Sequence, residues 1–319
     1  NLASFGNEIR VAAGAYTPSV EVGGTGVRFR SFQLVNGVAV KGGYPDGGGD
    51  ETTRAPQLHT TLLTGDIDGN GVIDTGNAYH VFHHPEGTEL DDTAVLDGVI
   101  IAAGHADGDW PHSIGAGMYN FANSPALTDC RFTGNVGGGM ANESGSHPVL
   151  GRCTFSGNTA DYAGGGLYNI QSSPTLTNCV FTANTAGIGG GMHNYSDADP
   201  GLVNCTFYGN SANTGGAIHN SYASPTLINC ILWGNQASAA PQTYDHSGSS
   251  SITYSCVEGG HPGDSNINSD PQLTNPAYGG LLLHPDSPCI DAGTTGDGMP
   301  ATDFRGLARD ATPDMGAYE

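Results

Sequence analysis

The sequence predicts an all-β solenoid, a right-handed parallel β-helix with coils of roughly 25 residues. Three observations carry that prediction. Cys130, Cys153, Cys179, Cys205, Cys230 and Cys256 follow one another at intervals of 23, 26, 26, 25 and 26 residues, a regularity that only a structural period produces. Phe132, Phe155, Phe181 and Phe207 stand two residues after their Cys, with Leu232 in the fifth place, so Cys and Phe share the inward face of a strand. Gly makes up 51 of 319 residues and charged residues only 13%, which suits a chain that turns often and has few solvated helices.

Each coil reads in the same order. Pro125, Pro148, Pro174, Pro200 and Pro225, five residues before each Cys, mark a turn, and Leu127, Leu150, Leu176, Leu202 and Leu227 are the inward residues of the strand that follows. A bend leads into the Cys and Phe strand, which Asn135, Asn158, Asn184, Asn210 and Asn235 close. A third strand follows a glycine run such as Gly164, Gly165 and Gly166. Met118, Met140, Leu167, Met192 and Ile218 are its inward row, while Tyr119, Ala141, Tyr168, His193 and His219 are expected to point outward. Asn120, Asn142, Asn169, Asn194 and Asn220 end it, and at the ~4.8 Å strand spacing such amides can bond one another along the axis. The six repeat cysteines are expected as a buried ladder of free thiols, because side chains pointing the same way in adjacent coils are poorly aimed for a disulfide. The chain divides into N-terminal coils with long loops (1–115), regular coils (116–260) and a closing segment of the same solenoid (261–319).

The residues Ser173, Pro174, Thr175, Leu176, Thr177, Asn178, Cys179, Val180 and Phe181 fit the pattern S-P-x-L-x-N-C-x-F, with Ala183 in place of the usual Gly before Asn184. In this the chain resembles the right-handed parallel β-helix proteins of the pectate-lyase-like superfamily, in particular bacterial secreted and surface proteins. Residues 8–17 look like that family's opening coil, and 287–293 with 314–319 look like its closing segment. The resemblance implies a secreted, extracellular or cell-surface protein with a carbohydrate-related or surface role. It names no reaction, since one fold hosts many functions. The family's polysaccharide lyases use a Lys or Arg beside a carboxylate, often with calcium, whereas Lys41 is the only Lys here. Arg131 and Arg152 are read as variants at the bend that Asn178, Asn204 and Asn229 fill in later coils.

The 31 acidic against 9 basic residues give a formal charge of −22, a field that repels nucleic acid and anionic membranes. No apolar run approaches the ~20 residues of a membrane span. Chemistry is sought in the irregular segments before Gly115. Asp66, Asp68, Asn70, Gly71 and Asp74 follow the first nine places of a calcium loop, in which alternate oxygens reach one hard cation and Gly permits the turn. The twelfth place is Asn77 rather than a bidentate carboxylate, and an Asp/Gly-rich surface turn is the alternative. Asp107, Asp109 and His112 can supply an acid/base pair and Trp110 a platform for a sugar ring. The outward row Tyr119, Tyr168, His193 and His219 is either a flat ligand-binding strip or solvated filler.

The sequence therefore points first to a non-catalytic extracellular structural or adhesive protein with two open solenoid ends. Such ends invite head-to-tail self-association into filaments. The alternative is a carbohydrate-active enzyme, lyase or glycoside hydrolase, with its site in the N-terminal loops. Calcium is the expected cofactor and a polysaccharide the expected ligand.

Overall fold

The computed structural model describes residues 6–274, 281–296 and 298–319. Strands of successive coils pair in parallel into three long sheets. The first has nine strands, from Asn7–Ala12 to Ser251–Thr253; the second has nine, from Gly14–Tyr16 to Cys256–Val257; the third has seven, from Phe82–His84 to Thr243–His246. Among the described residues the only helical element is the 3-10 turn Val27–Phe29, and no helix is long and apolar enough to cross a membrane.

A central coil shows why this sequence forms these elements. Thr175–Thr177 lies in the first sheet and Val180–Thr182 in the second. The corner between them is made by Asn178 in the left-handed region (φ 53), as Asn204 (φ 53) and Asn229 (φ 54) make the next two. Asn tolerates that conformation better than most residues because its short amide can bond locally. Leu176 pairs in register with Leu150 and Leu202, and Phe181 with Phe155 and Phe207. All are fully buried in one continuous core with the Met118, Met140, Leu167, Met192 and Ile218 row. The rings of Phe132, Phe155, Phe181 and Phe207 stack at 4.8, 4.7 and 4.5 Å.

Both asparagine ladders form. Asn135, Asn158, Asn184 and Asn210 each pass an amide N–H to the Oδ1 of the next, the row ending on Asn235, at 3.0, 3.0, 2.9 and 2.9 Å. Asn120, Asn142, Asn169 and Asn194 do the same, ending on Asn220, at 2.9, 2.9, 2.9 and 2.8 Å. These buried amides are satisfied by their own repeat, which is what permits a polar ladder inside a solenoid.

The structure departs from the sequence reading in five places. A fourth parallel sheet, from Thr159–Ala163 to Gln236–Ala239, precedes the glycine runs; its short strands repeat only a small residue, Ala160 paired with Ala186 and Ala212 with Ala237, a weaker signal than the large apolar rows of the other sheets. Cys256 leaves the thiol row. The last coil is one residue out of step, so Cys256 pairs with Ile231 while Ser255 takes the place opposite Cys230. Cys256 then packs outside the core with Cys289, Ile231 and Met315. All seven cysteines are free and buried, as expected for the six of the repeat.

The outward row of the third sheet is outward but not solvated: Tyr119, Tyr168, His193 and His219 are all buried. The fourth-sheet strand and the first glycine of each run fold over it. A Cβ at Gly164 would stand 2.6 Å from the Cβ of Tyr168, and one at Gly189 2.9 Å from that of His193. Only glycine fits between the layers, and its positive φ (65 and 61) turns the chain back.

Arg131 is not at a bend. It lies on the second-sheet strand Arg131–Thr133 opposite Thr154, and Asp129 (φ 53) holds the corner. Finally, the closing segment does not run straight out of the solenoid. It doubles back along the Asn corners, where Asn178 donates to Thr302 O at 2.7 Å, Asn204 to Asp314 O at 3.4 Å and Asn229 to Thr294 O at 2.9 Å.

Candidate functional site

The long N-terminal loops meet the third sheet at its first strand, Phe82–His84. That strand obeys the repeat although its sequence hides it: Phe82 pairs with Met118, His83 with Tyr119 and His84 with Asn120. Phe82 thus opens the inward row, His83 the outward row and His84 the asparagine ladder. His84 Nδ1 donates to Asn120 Oδ1 at 2.7 Å and its Nε2 accepts the Leu34 N–H at 3.1 Å. Burial lowers its pKa to about 4, so it is a neutral structural imidazole at neutral pH.

His83 is joined by His80, just before the strand, and by His112 from the loop between the strands Ile100–Ala102 and Met118–Phe121. One ligand-capable atom from each of the three lies within 4.8 Å of the others. His80 Nδ1 donates to Gly115 O at 3.0 Å, and His83 Nδ1 to Val22 O at 3.2 Å. Those bonds fix both rings with Nε2 unprotonated, and His80 Nε2 lies 2.9 Å from His112 Nδ1. Desolvation lowers the pKa of His80 well below its ordinary value, that of His83 to about 4, and that of His112 as well. Tyr119 packs 5.5 Å from both His80 and His83 and donates its hydroxyl to Glu143 at 2.6 Å.

A cavity of about 240 Å³ opens above this cluster, lined by His83, His112, Tyr119, Glu86, Trp110 and Phe121. On its other side Trp110 also lines a larger cleft of about 500 Å³, shared with His105, Asp107, Asp161 and Tyr162. Trp110 is 54% exposed and Tyr162 67%, so two aromatic faces are offered to solvent in one cleft.

Of the expected acid/base residues, the structure gathers His112 and Trp110 at the cavity but does not pair His112 with a carboxylate. Asp107 is bound to the Arg28 guanidinium, which holds its pKa down against burial. Asp109 contributes a backbone carbonyl to the turn that His112 N–H closes at 2.7 Å. The sequence analysis singled out His112 and did not bring His80 or His83 to it. The spacing of His80 and His83, read against the Phe82 register, is the signal that joins them.

The acidic loop is closed by hydrogen bonds among its own residues. Asp66 accepts the N–H groups of Asn70 at 3.2 Å and Gly71 at 3.0 Å, and the Asn70 amide reaches Asp68 at 2.9 Å and Asp74 at 3.3 Å. Asn77, at the twelfth place, accepts the Asp74 N–H at 3.0 Å and donates to Ala103 O at 2.8 Å, tying the loop to the solenoid. Lys41, the one Lys, is held by Glu8 at 2.6 Å and Glu51 at 3.3 Å. Glu8 raises its pKa, which suits an ion pair and not a proton acceptor.

Residues 91–232 match the family model described as a right handed beta helix region. Among solved structures, the crystal structure of pectate lyase Pel9A aligns over 100% of this chain and 89% of that chain, with a TM-score of 0.54 and 12% sequence identity. A likeness at that identity speaks to the fold. A comparison with curated proteins gives no match. Parallel coils stacked in register, the asparagine and phenylalanine ladders and the match over 91–232 together show the fold of a right-handed parallel β-helix.

Proposed function

We propose that the protein is an extracellular adhesive β-helix that grips a polysaccharide in the cleft beside Trp110. The observation that carries this reading is the pair of exposed aromatics, Trp110 and Tyr162, in one polar cleft of about 500 Å³. Sugar rings present apolar C–H faces that stack on such surfaces, while hydroxyls bond to carboxylates such as Asp107 and Asp161. The regular coils then serve as a rigid mount. Binding to a panel of plant, algal and bacterial polysaccharides tests it: Trp110→Ala is expected to weaken the best ligand roughly tenfold, about 1.4 kcal/mol. Equal binding by the variant, or no binding to any polysaccharide, would sink the reading.

The second reading is a carbohydrate-active enzyme at the same place, favoured by the histidines that line the adjoining cavity. New reducing ends or unsaturated products in the same panel would select it. End-to-end assembly is the weaker proposal, because the C-terminal end is an open edge only in part. Tyr254 N–H bonds to Asp264 O at 2.8 Å and Val257 N–H to Ile267 O at 2.9 Å, so this return segment covers the last strands of the first two sheets.

Calcium at Asp66, Asp68, Asn70 and Asp74 belongs to the same proposal, as the ion that stiffens the loop against the solenoid. Calcium at a hundred times its dissociation constant is expected to stabilise the fold by about 2.7 kcal/mol. Chelation should lower the melting temperature, and Asp68→Ala should abolish the response. A melt indifferent to chelator and to added calcium removes the site.

A further inference from the structure

We infer that His80, His83 and His112 form a site for one divalent transition-metal ion of the zinc class, open on its remaining side to the cavity beneath Trp110. The inference goes beyond polysaccharide binding and does not depend on it.

Four observations converge. The donors are of the right kind and reach: three imidazoles whose ligand atoms lie within 4.8 Å of one another, drawn together from two separate segments. Their outer bonds are those of metal ligands. A ligating His usually gives its other N–H to a carbonyl or carboxylate, which sets the tautomer and aims the lone pair. His80 does so to Gly115 O at 3.0 Å and His83 to Val22 O at 3.2 Å. The third observation is what the lone pairs meet. His83 Nε2 has no protein hydrogen-bond partner among the described residues and opens onto the cavity that the ring lines. His80 Nε2 meets only His112 Nδ1, at 2.9 Å. Without an ion, His83 Nε2 meets only what the cavity holds, so its lone pair is free for a metal; a cation at the centre takes the lone pairs of all three rings. Binding needs one adjustment, transfer of the His112 proton from Nδ1 to Nε2 through solvent.

The fourth observation is access. His83 and His112 line the cavity of about 240 Å³ with Glu86 and Tyr119, so an ion held by three imidazoles keeps a coordination position for water or a ligand. Three protein ligands with an open position mark zinc sites that act on something, whereas structural sites are closed by a fourth. The absence of thiolate or carboxylate from the triad favours zinc, copper, nickel or cobalt over calcium and magnesium, which take oxygen ligands. The site is therefore chemically separate from the acidic loop at Asp66.

The test uses the full chain, stripped with chelator and dialysed, and Co²⁺ as the probe. One Co²⁺ per chain is expected, with the visible absorption of a low-coordinate nitrogen site, displaced by Zn²⁺ and not by Ca²⁺. His112→Gln and His83→Gln should each weaken Zn²⁺ binding by at least about a hundredfold, since even outer-shell losses cost ten- to a hundredfold. The exposed His246→Gln should leave it unchanged. His112 is only half-buried, so its variant folds and decides the matter if His83→Gln does not. No stoichiometric uptake, or uptake that survives His112→Gln, overturns the inference. Polysaccharide binding by the stripped protein is measured alongside, so that loss of one result leaves the other standing.

Discussion

Replacing Phe181 by Ala is expected to remove about 3–5 kcal/mol of stability. Phe181 is fully buried, with the ring of Phe155 at 4.7 Å on one side and that of Phe207 at 4.5 Å on the other, nearly parallel to both. Its Cδ1 also stands close to the backbone of Gly166, where a Cβ would approach it to 2.9 Å. The ring is thus fixed by three coils at once. Collapse around the missing ring would require strands held in register by Phe155, Phe181 and Phe207 to shift together, so the cavity stays and the full penalty applies. Because each coil packs only on its neighbours, the damage should be local. Hydrogen exchange should rise first in 154–156, 180–182 and 206–208, and Phe181→Leu should cost less, about 1–1.5 kcal/mol. A denaturation midpoint within 1 kcal/mol of the parent for Phe181→Ala would show that the ladder does not hold the coils together.

Acid is expected to destabilise the protein through His193. This imidazole is 1% exposed and neither ring nitrogen has a hydrogen-bond partner. It is sandwiched between Tyr168 at 4.9 Å and His219 at 4.9 Å. Desolvation, with a smaller contribution from His219, lowers its pKa to about 3. The unfolded chain takes up a proton near the ordinary value of 6.5, while the native state refuses it until far lower pH. Stability is therefore complete above about pH 6.5, falls as pH drops, and its loss is finished near pH 3. Over two and a half pH units, from 6.5 to 4, the linkage amounts to about 3 kcal/mol. His193→Phe, which keeps the stack and deletes the titration, should reduce the loss between pH 7 and pH 4 by that amount. Parallel stability curves for the two proteins across that range would show that His193 is protonated in the native state.

The sequence by itself determined the solenoid, because every inward row repeats: a residue type returning each coil at the same place, as Leu176, Cys179, Phe181, Asn184 and Asn194 do, admits only stacked coils in register. It could not place residues whose role depends on another coil's backbone. Cys256 sits one step beyond its interval's promise because the register of the last strand is set by its pairing with Ile231, not by counting from Cys230. Tyr168 and His193 are outward by alternation, yet buried, because the turn at Gly164 and Gly189 folds over them. The histidine cluster shows the same division. His83 opens the outward row by register and was legible in principle, but its meeting with His80 and His112 depends on where a long loop lands. Loops carry no period, so their course is decided by the packing of the Phe29, Tyr79 and His112 rings at 5.0–5.3 Å. Local repetition specifies a strand and its neighbours, whereas convergence of distant segments is a property of the folded packing alone.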